Sequence, residues 1–166
     1  MKGIRRSVAG MAAGITLCLA TPSHAKHDDL AQIKAMEDAL TRAVNARDLD
    51  AVMSAYLGGD GLFVFDVVPP RQFVGAAAFR ADRKAFLAGP ISYRTSDLVV
   101  ETHGTVAFGH KILHAVGADG AGHAYDFTAR VTDVYRKIDG KWLIVQEHAS
   151  VPVDATTGTA DLKSTP

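Results

Sequence analysis

The sequence predicts an α+β fold in which helices come first and a curved antiparallel sheet follows. Three observations carry this. Residues 27–46 place apolar side chains at helical spacing, whereas the chain from Ile91 to about 151 alternates as strands do. Residues 126–150, DFTARVTDVYRKIDGKWLIVQEHAS, form two alternating runs around Asp139-Gly140, a dipeptide suited to the φ > 0 positions of a two-residue hairpin turn. The 166 residues show no internal repeat and no composition break that would separate a second domain.

The start reads as a leader. Lys2, Arg5 and Arg6 precede an apolar run from Val8 to Ala20, and Ser23 and Ala25 supply the small residues of a cleavage site after Ala25. The run is short of the roughly 20 residues of a membrane span. Residues 1–25 are therefore expected to be a signal peptide, 26–153 the domain, and 154–166, small and polar, a disordered tail. This implies a periplasmic or secreted protein with no membrane attachment after cleavage. Loss of the leader leaves 15 Lys and Arg against 18 Asp and Glu, a formal charge of −3. Such a balance gives no electrostatic reason for nucleic acid or an anionic membrane as partner. The only cysteine, Cys18, leaves with the leader, so thiol chemistry is not expected.

In the first helix Leu30, Ile33, Leu40 and Val44 share a face, with Glu37 the exception, and Asp28 or Asp29 is placed to cap its start. Asp48 caps a short second helix carrying Leu49, Val52, Met53 and Tyr56, which Gly58-Gly59-Asp60-Gly61 ends. Leu62–Val68 is a short apolar strand interrupted by Asp66 and stopped by Pro69-Pro70. Ala76–Ala88 is a third helix, with Gly89-Pro90 as its stop. Strands follow over 91–102, 105–116, 123–137 and 141–151. A sheet of this length can wrap the helices and leave a cavity, or lie flat as a filled two-layer sandwich.

With an unbulged turn, Ile138 faces Lys141, Thr132 faces Glu147 and Arg130 faces Ala149. One face then holds Asp126, Thr128, Arg130, Thr132, Val134 and Glu147, and the other Tyr125, Phe127, Val131, Asp133, Tyr135 and His148. Either face could line a pocket, and a one-residue bulge would exchange the assignments.

These elements resemble the nuclear transport factor 2-like superfamily, in particular its SnoaL-like and ketosteroid isomerase-like members and the association domain of calcium/calmodulin-dependent kinases. The resemblance covers about Asp28 to Pro152. It is carried by Tyr56, by Phe65-Asp66 followed by Pro69 and Gly75, and by Arg130-x-Thr132, Asp139-Gly140-Lys141-Trp142 and His148-x-Ser150-x-Pro152. It implies a cone-shaped sheet around three N-terminal helices with a central pocket. It also implies a general base at Asp66, nine residues before Gly75. Arg130 stands where ketosteroid isomerases carry their second aspartate, and the first helix has no tyrosine.

The candidate catalytic residues are thus Asp66 as base and Arg130 as oxyanion or carboxylate partner, with Tyr56, Thr132, Glu147 and His148 as ligand-binding residues. Asp66 has a bland alternative as an edge-strand aspartate turned to solvent or capping the Pro-Pro turn; Arg130 with Glu147 has two, a structural ion pair or a face turned wholly to solvent. His148 lies opposite Arg130's face and suits a structural or interface role. His110 and His114 share a face but stand about 13 Å apart on a strand, too far for one metal. No metal or cofactor is expected, because no dinucleotide loop or metal-ligand cluster appears. The implied partner is a small acidic or carbonyl-bearing molecule, acted on by an isomerase, cyclase or lyase. The alternative is a non-catalytic binding or assembly module, dimeric through Tyr125, Phe127, Val131 and Tyr135.

Overall fold

The computed structural model describes residues 22–165. The expected leader lies outside the described residues except for 22–25, which begin the first helix. That helix, α1, runs Pro22–Ala46, longer than the periodicity predicts. Asp29 is therefore inside it, and bonds to Lys137 and Trp142 instead of capping. A short α2, Leu49–Met53, is capped by the Asp48 side chain on the Ala51 amide. Strand β1 (Phe63–Phe65) and strand β2 (Phe73–Val74) precede α3, Ala76–Phe86. Four long strands complete the chain: β3 Ile91–His103, β4 Val106–Ala118, β5 Ala124–Ile138 and β6 Lys141–Ser150.

The strands form one curved, unclosed sheet in the order β2-β1-β6-β5-β4-β3. Pairs are antiparallel except β1 with β6, which is parallel, with α3 and four strands between them in the chain. The α+β expectation holds, and the helices pack on the inner face. Ile33, Leu40 and Val44 of α1, Val52, Phe79 of α3, and Tyr135, Trp142 and Ile144 of the sheet are all buried in one core. Burying each such side chain is worth about 1.5–3 kcal/mol, so this core dominates stability. Among the described residues no helix is long and apolar enough to cross a membrane.

The hairpin turn is as expected, with Asp139 and Gly140 both at positive φ and Ile138 facing Lys141. The register then shifts. Tyr135 faces Ile144, but Val134 faces Gln146, so Val145 is an extra residue in β6. Beyond this bulge Asp133 faces Glu147 and Thr132 faces His148. The unbulged pairing of Thr132 with Glu147 and Arg130 with Ala149 is thereby corrected. A bulge reverses the alternation of every later residue on its strand. Glu147 and Ala149 turn inward with Val131 and Asp133, while His148 turns outward with Arg130 and Thr132. A second shift in β3, between Ser96 and Val99, adds to the curvature.

The segment after β6 is not a loose tail. Val153 bridges Ala160, the Thr128 amide donates to the Leu162 carbonyl at 2.7 Å, and Lys163 Nζ lies 2.9 Å from Asp126. These contacts fold residues 153–163 back onto β5.

Candidate functional site

The curved sheet, α1 and α3 enclose a cavity of about 530 Å³. Its walls are mostly apolar, with Leu40, Val44, Leu113, Val131 and Phe127 among them, and Ala160 and Leu162 of the folded-back segment close one edge. Into this apolar space project Asp66, Arg83 and Glu147, together with Tyr56 and Tyr93. This volume suits a molecule of one or two rings.

Asp66 follows β1, where the apolar strand ends. Its Oδ1 accepts from the Val67 amide at 2.6 Å and its Oδ2 is ion-paired with Arg83. The side chain is 9 % exposed, so it is neither in open solvent nor unpaired. The pairing cation is Arg83 of α3, a residue absent from the sequence candidates. Phe79, Arg83 and Phe86 stand at i, i+4 and i+7, the spacing of one helix face, and this face looks inward. The guanidinium lies over both rings, 4.9 and 4.7 Å from their centroids, and also pairs with Asp82. The two carboxylates hold its pKa above the usual arginine value against the opposing effect of burial.

Glu147 is 8 % exposed. The Tyr56 hydroxyl donates to its Oε2 at 2.7 Å, and this is its only hydrogen bond among the described residues. Tyr56 is fixed by backbone pairing of its own segment with β6, through Leu57 N to the Ile144 carbonyl at 2.8 Å, and by an edge contact with Phe79. Burial raises the Glu147 pKa; Lys111, the Tyr56 hydrogen bond and Arg83 oppose that rise. Burial also pushes the Tyr56 and Tyr93 hydroxyls upward, so both stay protonated as donors.

Behind Glu147 lies a buried ionic cluster. Lys111 of β4 contacts Glu37 of α1, and its Nζ lies 2.8 Å from Asp133 Oδ2. Glu37, the exception in the apolar face of α1, thus has a cation to meet. The Tyr135 hydroxyl donates to Glu37 at 2.8 Å.

Of the expected site residues, Asp66, Tyr56 and Glu147 come together on the cavity. Arg130, Thr132 and His148 do not: all three are exposed on the outer face, His148 because of the bulge in β6, Arg130 and Thr132 because they alternate with the inward Val131, Asp133 and Tyr135 of β5. Arg130 therefore cannot hold a substrate oxygen in this cavity. His148 packs instead on Phe65 of β1, with ring centroids 5.4 Å apart. The dimer face read from Tyr125, Phe127, Val131 and Tyr135 is also corrected, since these residues line the cavity or the core. Among the described residues no three His, Cys, Asp or Glu side chains converge as metal ligands.

A family model described as the SnoaL-like domain matches residues 33–154. Solved structures share the architecture. An NTF2-like protein of unknown function from Pseudomonas putida KT2440 is 25 % identical over 89 % of this chain and 100 % of its own, with a TM-score of 0.73. A presumed scytalone dehydratase from Novosphingobium aromaticivorans DSM 12444 is 11 % identical over 87 % of this chain and 93 % of its own, with a TM-score of 0.69. A presumed calcium/calmodulin-dependent protein kinase II association domain from Xanthomonas campestris is 22 % identical over 84 % of this chain and 96 % of its own, with a TM-score of 0.62. A search of curated proteins finds no match.

Proposed function

The chain belongs to the SnoaL-like domain family, and from that premise we propose that its cavity binds a ring-sized, largely apolar carbonyl compound and moves a proton beside the carbonyl, as isomerases, cyclases and lyases do. One observation carries this reading. Of the four acids that line the cavity, Asp66, Asp119, Asp126 and Glu147, two are largely buried and stand in different surroundings: Asp66, partnered by the Arg83 guanidinium, and Glu147, which burial pushes up. An ion-paired carboxylate suits the role of base, and a buried carboxyl that keeps its proton suits the role of donor. Asp66 takes the proton next to the carbonyl. Glu147, oriented by Tyr56, donates to the oxygen as negative charge develops on it. Of the two ligand classes expected from the sequence, the charge balance favours the carbonyl compound over an acid. Arg83, the one Lys or Arg lining the cavity among the described residues, already faces Asp66 and Asp82, so a ligand carboxylate would have to displace one of them.

A non-catalytic binder is the second reading. What favours it is the engagement of both Asp66 oxygens, by the Val67 amide and by Arg83. Exchange of the α-hydrogens of cyclohexanone in deuterated water, followed by NMR, separates the two. Catalysis predicts exchange that Asp66→Asn slows by about a hundred-fold or more while binding persists. Cyclohexanone that binds the wild type without accelerated exchange supports the binder.

Export and self-association remain proposals. N-terminal sequencing of the protein recovered from the periplasm tests cleavage after Ala25. Self-association would use the outer face, where Val99, Val106, Phe108 and Val116 are exposed. Light scattering on the wild type and on Phe108→Glu tests that: a dimer lost in the variant supports it, and a monomeric wild type refutes it.

A further inference from the structure

The hairpin bulge has a second effect. It sets Asp133 directly opposite Glu147, both turned to the inner face. Facing residues of an antiparallel pair have their Cβ atoms about 5 Å apart. Asp133 is wholly buried, and its Oδ1 has no hydrogen-bond partner among the described residues. Its other oxygen meets Lys111 at 2.8 Å and the Tyr135 hydroxyl at 3.3 Å. Lys111 also serves Glu37, so two buried carboxyls, Glu37 and Asp133, share one ammonium, and the third, Glu147, makes no ion pair with it. Two facing carboxylates in a poorly solvated interior, where the nearby Lys111 is already shared by Asp133 and Glu37, cannot both ionise without a large cost.

We propose that Asp133 is a positioning residue for the cavity acid: the facing carboxyls of Asp133 and Glu147 act as one unit that keeps a proton at neutral pH, and through it Glu147 presents that proton to the cavity. The groups around this unit are Glu37 from α1, Tyr56 from the segment after α2, Asp66 after β1, Arg83 from α3, Tyr93 from β3, Lys111 from β4 and Tyr135 from β5. Burial, with Glu147 and Glu37 adding to it and Lys111 opposing, pushes Asp133 up to about 8. The side of the unit that faces the ligand is Glu147, and the orphan oxygen belongs to the acid behind it. The inference rests on Glu147 being the cavity acid of the proposed reaction.

Carboxyl carbon titrations by NMR, on protein labelled at Asp and Glu, test it across roughly pH 5 to 9, the window of strongly raised carboxyls. In the wild type the pair should lose its protons in two steps, the later one above neutrality. In Asp133→Asn or Glu147→Gln, the remaining acid should titrate about one unit or more below that later step. Either variant alone suffices if the other fails to fold. Cyclohexanone exchange should fall as pH rises through the wild-type step, and that fall should move to lower pH in Asp133→Asn. If the remaining acid keeps its wild-type titration in both variants, the pair is not a unit and the proposal fails, while Glu147 stays the cavity acid. If both acids of the wild type titrate in the ordinary carboxyl range, the proposal and the donor role of Glu147 fail together.

Discussion

Replacing Lys111 by methionine removes the ammonium of the buried cluster while nearly keeping its length. The lysine side chain is 1 % exposed, and the carboxyls it serves are 3 % exposed at Glu37 and 0 % at Asp133. The variant leaves no void, so the loss is electrostatic. Breaking a buried pair by deleting one partner costs about 3–5 kcal/mol. At about 2–4 °C per kcal/mol for a domain of this size, the melting temperature should fall by about 6–20 °C. The cost must also depend on pH. Asp133 is raised from its ordinary 3.8 to about 8 in the folded protein. A raised acid contributes stability that is fully present below about 3.8 and lost as pH rises through about 8. Without Lys111, whose charge opposes the rise, Asp133 holds its proton to still higher pH, so the folded state is penalised further as the solution becomes basic. Urea unfolding of wild type and Lys111→Met at roughly pH 5 and pH 8.5, either side of the Asp133 transition, gives the comparison. The gap between the proteins should widen at the higher pH. A cost below about 1 kcal/mol there, or equal costs at both, would refute the buried-cluster reasoning.

Tyr56→Phe removes the one side-chain hydrogen bond on Glu147 among the described residues, so it should cost about 1–2 kcal/mol in urea unfolding and raise the Glu147 titration further. Arg130→Ala, on the outer face, should stay within about 0.5 kcal/mol of wild type and leave cyclohexanone exchange unchanged; a large loss of either would return Arg130 to the site. Deleting residues 154–166 should open the edge formed by Ala160 and Leu162, raising fluorescence of the apolar dye ANS while lowering the melting temperature little. No change in dye binding would show that the segment does not cover the cavity.

The order of helices and strands, the Asp139-Gly140 turn and the buried strand with Asp66 could all be read along the chain, because each depends on local spacing and turn chemistry. The core face of α1 was legible for the same reason, and Glu37 stood out as its exception. Two things were not legible. Arg83 lies among Arg80, Asp82 and Lys84 and reads as part of a solvated helix face. Only the inward turn of Phe79 and Phe86 brings it to Asp66, although their spacing with Arg83 was a signal that could have identified it. The other is the bulge at Val145, which no residue type announces. Side chains on a strand alternate with a period of two, so one extra residue reverses every position beyond it. That reversal carries Glu147 into the cavity and turns His148 outside, to the face where Arg130 and Thr132 stand by the alternation of β5 itself. The sequence by itself therefore determined the family and the architecture, and it named Asp66, Tyr56 and Glu147 among the residues that line the cavity. The tertiary structure alone decided which face of the hairpin the ligand meets, because sheet curvature and register depend on packing between strands far apart in the chain.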